Sequence, residues 1–115
     1  MLTDEYRYKI LKIVEAKPEI SQRDLARELG VSLGKVNFCL KALIDVGLLK
    51  VTNFKNNNNK LAYMYLLTPS AVEQKTAITM RFLKHKVQEY ETLKNEIAEL
   101  KLEANNPIGI EKAKY

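Results

Sequence analysis

The chain has 115 residues, 19 basic and 14 acidic side chains and a formal net charge of +5. That length accommodates one compact domain with one long appendage and is too short for a large catalytic α/β fold. Apolar residues make up 46% of it, enough to bury a core, and no apolar run approaches the roughly 20 residues of a membrane-spanning helix. One Cys and one His exclude a disulfide framework and a Cys/His zinc site within one chain. The start, Met1-Leu2-Thr3-Asp4-Glu5, is too polar and acidic for a secretory signal, and a reducing cytoplasm is the expected compartment. The excess charge is concentrated. From Lys35 to Lys60 there are five lysines against Asp45 alone, which is either a patch for an anionic partner or an ordinary solvated surface.

In chain order, residues 4–16 predict a helix with Tyr6, Ile10, Ile13 and Val14 on one face, Thr3 as N-cap and Pro18 as terminator. Residues 21–29 predict a second, short helix. Ser21-Gln22-Arg23-Asp24 has capping-box spacing, Ile20 and Leu25 suit a hydrophobic staple, and Gly30 can close the helix in the left-handed conformation. A third helix follows at once, capped by Ser32, with Val31 and Val36 as a second staple and Val36, Leu40 and Leu43 as its buried stripe; Gly47 ends it. Two short capped helices separated by Gly30-Val31 are a helix-turn-helix.

Residues 48–54 and 61–67 then predict two strands joined by the tip Lys55-Asn56-Asn57-Asn58-Asn59-Lys60, since Asn tolerates left-handed turns. Thr68-Pro69 opens a last helix. No Gly or Pro occurs from residue 70 to 104, so this helix should run for about 36 residues and roughly 54 Å. Asn105-Asn106-Pro107 stops it. The expected organisation is a domain over residues 1–68, a helix over 69–104 and a loose tail over 105–115. The fold class is mainly α, an α+β winged helix of three helices and a two-stranded wing followed by one long helix.

This order of elements is commonly used to bind duplex DNA, with the third helix in the major groove. Opposite the buried stripe, a projection of that helix presents Gly34, Phe38, Lys41 and Asp45, flanked by Lys35 and Asn37. Ser32 and the backbone N–H groups beside it can take a phosphate, or Ser32 can simply cap the helix; the two are compatible. Gly34 allows close backbone approach. Lys35 and Lys41 can reach phosphate or guanine O6 and N7, and Asn37 can pair with adenine. Phe38 either packs on a thymine methyl or packs inside the domain against helix two or a strand. Lys55 and Lys60 either contact phosphates and the minor groove or keep an exposed sheet edge soluble. Arg23 and Arg27 are secondary phosphate candidates.

Leu83, Val87, Tyr90, Leu93, Ile97 and Leu100 form a stripe at 3–4 spacing along the last helix, with a short step at 87–90–93. Leu93, Ile97 and Leu100 lie too far along the helix for the small domain to cover them, so a second copy is expected to, giving a homodimer. The other possibility is a helix that turns back or frays beyond Val87. Arg81, Lys84, His85 and Lys86 are expected to be a solvated face. Cys39 lies about 60° from the centre of the buried stripe and is expected to be half-buried and structural, the alternative being a redox switch. No glycine-rich phosphate loop, metal-ligand cluster or nucleophile with a neighbouring His occurs in the sequence, so an enzyme is not expected and no cofactor is implied.

The segment Ile20-Ser21-Gln22-Arg23-Asp24-Leu25-Ala26-Arg27-Glu28-Leu29-Gly30-Val31-Ser32 resembles the helix-turn-helix of bacterial MarR-type winged-helix regulators. Val36, Leu40, Leu43, Gly47-Leu48-Leu49 and Leu66-Leu67-Thr68-Pro69 continue the likeness. Over roughly residues 1–104 the chain is similar to a small MarR-type subgroup associated with exopolysaccharide gene clusters, through Leu2-Thr3-Asp4-Glu5-Tyr6-Arg7-Tyr8-Lys9-Ile10-Leu11 and Ser32-Leu33-Gly34-Lys35-Val36-Asn37. The resemblance implies a homodimeric, sequence-specific DNA-binding transcriptional regulator; the other reading is a winged-helix adaptor that binds protein. The sequence departs from the family's wing, where an Asp-x-Arg segment is usual: Asn53 and Lys55 stand there, implying looser phosphate contact than minor-groove insertion. It also has little before the first helix and one helix at the end, where the family has further helices, so the family's interdomain ligand pocket is expected to be absent. An effector is left open.

Overall fold

The computed structural model describes residues 2–55 and 61–106. The elements run α1 (Asp4–Ala16), α2 (Gln22–Leu29), α3 (Leu33–Asp45), β1 (Leu49–Lys55), β2 (Leu61–Leu67) and α4 (Pro69–Ala104). This is the expected winged helix with a long last helix. The limits of α1, β2 and α4 are as the sequence predicts, α2 begins one residue later because Ser21 is its cap, and β1 is displaced by one residue. Most of the wing tip, Lys60 included, and the tail beyond residue 106 lie outside the described residues.

Each helix begins on a side-chain cap. The Thr3 hydroxyl accepts from the Tyr6 N–H at 3.2 Å, Ser21 from Asp24 at 3.0 Å and Ser32 from Lys35 at 3.1 Å, satisfying amide donors that a helix start leaves without partners. The two helices of the helix-turn-helix end alike. Gly30 and Gly47 take positive φ, 69° and 77°. Beside them Val31 N–H bonds to Ala26 O, and Leu48 N–H to Leu43 O. These are Schellman closures, and a side chain at either glycine would strain the backbone.

The core joins Ile10, Leu11 and Val14 of α1, Leu25 and Ala26 of α2, Val36, Cys39, Leu40 and Leu43 of α3, Leu48, Leu49 and Tyr65 of the wing, and Ala71 and Ile78 of α4. The buried face of α1 is therefore centred one step from the expected one: Leu11 is inside, while Tyr6 and Ile13 sit at the rim. Cys39 is 1% exposed, not half-buried, because the face of α3 turned to the core is wide enough to include it.

The strands pair antiparallel, Leu49 opposite Leu67 through to Lys55 opposite Leu61. The wing is also tied to the rest of the domain. Tyr65 N–H bonds to Pro18 O at 3.0 Å, and its hydroxyl accepts from the Gln22 side chain at 3.0 Å. Against α1, the first part of α4 places Lys75 on Glu15 at 2.7 Å and Arg81 on Asp4 at 3.1 Å, with the Tyr8 and Phe82 rings 5.0 Å apart. Arg81 is thus an ion-pair partner and not part of a merely solvated face. The molecule divides into two units after Phe82; in the second, residues 83–106 are exposed at every position.

Candidate nucleic-acid interface

The candidate interface is built on α3. Val36, Cys39, Leu40 and Leu43 fix that helix to the core by one side, which leaves the other side at the surface. Ser32, Gly34, Phe38 and Lys41 are exposed there, and Asn37 is half-buried. Phe38 keeps half its surface in water and so is not packed inside the domain. A Cβ at Gly34 would meet nothing nearer than Ser32 Oγ at 4.0 Å. The surface there is flush backbone with open space above it, as close approach of a bulky partner requires.

Charge follows the same pattern. No acidic residue lies in the first turn of α3, and β1 contributes Lys50 and Lys55, both exposed, with no acid. Ser32 spends its oxygen on the Lys35 amide, while the Leu33 and Gly34 amides precede the first helical bond and point out of the helix start. Lys41 and Lys55 are exposed cations that suit phosphate as charge-assisted donors. Arg23 is exposed in the first turn of α2; Arg27 is held by Asp24 at 3.0 Å, which weakens it as a phosphate ligand.

Lys35 is placed differently from a free outward lysine. Its ammonium lies 5.0 Å from the Tyr6 ring centre and 6.0 Å from that of Phe38, a cation–π arrangement linking α1 to α3. Two rings therefore hold the charge at the edge of the α3 surface. The sequence pattern does not reveal this because Tyr6 is 29 positions away. Nor does the outward projection of α3 include Leu33, an apolar residue 48% exposed at the first turn; its place between Ser32 and Gly34 is the available signal.

Among the described residues no three His, Cys, Asp or Glu side chains gather as metal ligands, and no helix is long and apolar enough to cross a membrane.

Residues 3–50 match the family model described as winged helix-turn-helix DNA-binding. No curated protein matches the sequence. Among solved structures, the chain is similar to the adhesin competence repressor AdcR from Streptococcus pyogenes, with 22% identity, a TM-score of 0.55, and coverage of 97% of this chain and 80% of that one. It is also similar to MarR of Staphylococcus aureus, solved in complex with salicylate and kanamycin, at 19% identity and a TM-score of 0.50 over 84% of this chain and 72% of that one. At such identities the likeness speaks for the fold alone: a helix-turn-helix with a two-stranded wing and a long last helix.

Proposed function

We propose that the protein is a DNA-binding transcriptional regulator of the MarR type, acting in the cytoplasm as a homodimer. It lays the start of α3 from each copy into major grooves of a pseudo-palindromic promoter site and occludes the promoter. The observation that carries this reading is the two-sidedness of α3. Its core side is sealed by four buried residues, while Gly34, Phe38 and Lys41 stand open on the other. The match of residues 3–50 to a DNA-binding family model supports it independently. Residues 1–68 would then be the DNA-binding domain and residues 69–104 the dimerisation helix, with Leu83, Val87, Tyr90, Leu93, Ile97 and Leu100 at the dimer interface.

Individual roles follow from chemistry. Ser32 and the adjoining amides, Lys41, Lys55, Lys60 and Arg23 take phosphates. Asn37 and Phe38 meet base edges, and Lys35, held by two rings, meets the backbone at the groove edge. The exopolysaccharide association is the finer part of the proposal and names the class of promoter to try first.

The test is a mobility-shift assay on the DNA upstream of the protein's own operon, repeated over a salt series. Six to eight phosphate contacts per dimer give a log–log slope of about −5 to −7; absent binding at low salt, or binding indifferent to salt, overturns the reading. Exposed Phe38 and Leu33 would also suit an adaptor that docks a protein. Replacing Lys35, Phe38 and Lys55 separates the two: loss of DNA affinity supports the regulator, and intact DNA affinity with loss of a protein partner supports the adaptor.

A further inference from the structure

Residues 83–104 of α4 repeat an apolar pattern whose flanks carry a second message. Tyr90, Leu93, Ile97, Leu100 and Ala104 follow each other at steps of three and four, a heptad with Tyr90 and Ile97 at a and Leu93 and Leu100 at d. Leu83, seven residues before Tyr90, also falls at a; Val87 falls at e and Lys86 at d, so the seam is interrupted between Leu83 and Tyr90. From Glu89 on, each flank has one sign. The g positions are Glu89, Glu96 and Glu103; the e positions are Lys94 and Lys101. All five are exposed. Glu89 also meets Lys86 of its own helix at 3.1 Å, an exposed pair that a second lysine can share.

That segregation decides direction. In a parallel, in-register pair of helices a g residue meets the e residue five positions on in the other copy, so Glu89 faces Lys94 and Glu96 faces Lys101, each twice by symmetry. In an antiparallel pair g faces g and e faces e, which sets glutamate against glutamate and lysine against lysine. Ile at a with Leu at d, as at Ile97 and Leu100, also selects two strands in parallel coiled coils.

We infer that residues 83–104 of two copies of this chain form a parallel, in-register, two-stranded coiled coil, with Glu89 and Glu96 of each copy paired to Lys94 and Lys101 of the other. The inference rests on the homodimer reading above and adds its direction. It brings the Leu83 ends of the two helices to about 8–10 Å, where an antiparallel pair would part them by about 30 Å, so the two points at which the chains enter the coil lie side by side.

The experiment uses the full chain without DNA. Leu100→Cys is placed at an exposed d position, with the parent protein and its buried Cys39 as control, and both are equilibrated in a thiol–disulfide buffer. The expected result is a covalent dimer through residue 100 alone. An unlinked Leu100→Cys, together with a mixed disulfide when it is combined with Leu83→Cys, overturns the inference in favour of an antiparallel pair. A monomer by sedimentation overturns it outright. As a second readout, Glu89→Lys with Glu96→Lys weakens self-association by about ten-fold or more, and mixing with the Lys94→Glu, Lys101→Glu chain restores it; no recovery on mixing also overturns it. DNA binding is scored separately, so a failed crosslink beside an intact mobility shift defeats the direction and leaves the regulator standing.

Discussion

The two stretches of α4 make an instructive pair. Residues 69–82 bury Ala71 and Ile78 completely and send Lys75 and Arg81 to carboxylates of α1. Residues 83–104 carry a longer apolar stripe on the same kind of helix, yet Leu93, Ile97 and Leu100 stand 54%, 43% and 61% exposed. The first stretch finds its cover within its own chain and the second does not. Helical periodicity therefore encodes a face, while what covers that face is decided by whichever surface carries the matching side chains.

The sharpest way to break this comparison is to truncate one residue on each side. Ile78→Ala should cost about 2–5 kcal/mol of unfolding free energy whatever the protein concentration. Ile97→Ala in dilute protein should change it by no more than about 0.5 kcal/mol, and its effect should appear only as concentration rises. Denaturant titrations at two concentrations check both, and equal effects would erase the distinction between the halves.

A smaller effect distinguishes the exposed side of α3 from its core side. Lys41→Ala should leave stability within about 0.5 kcal/mol while lowering DNA affinity on every sequence alike. It should also make the salt slope shallower by about one for each phosphate that the lysine neutralises, as a salt series on operator and random duplexes would show.

Smaller again, and of opposite sign in its two readouts, is Gly34→Ala. The open space above Gly34 accepts a methyl group, so the helix should gain up to about 1 kcal/mol while DNA affinity falls because the backbone is held off. Gains in both would remove close approach as the reason for this glycine. The least effect is expected from Arg81→Ala. Its pair with Asp4 is partly exposed, worth about 0–1 kcal/mol, and thermal melts at low and high salt should differ less for the variant than for the parent.

What the sequence makes legible follows from the range of each interaction. Caps, Schellman glycines and the stripe Val36–Leu40–Leu43 act within a turn or two, and residue type at fixed spacing reveals them. The outward surface of α3 is legible for the same reason, down to Phe38. Lys35 over Tyr6, Arg81 on Asp4 and Gln22 on Tyr65 join residues 29, 77 and 43 positions apart, and no local pattern announces them. Cys39 marks the boundary: a projection places it at the edge of the stripe, but how much of the circumference is sealed, Cys39 included, depends on the elements that pack around α3.

Thr68 carries a mechanical consequence. Its hydroxyl caps α4 by accepting from the Ala71 N–H and donates to Gly47 O, while its own N–H bonds to Leu48 O. The first turn of one helix and the exit of another are thus joined at a single residue. Because Leu48 leads into β1 and Thr68 leaves β2, the same joint also closes the base of the wing, so a substitution of Thr68 should loosen α3, the wing and α4 together.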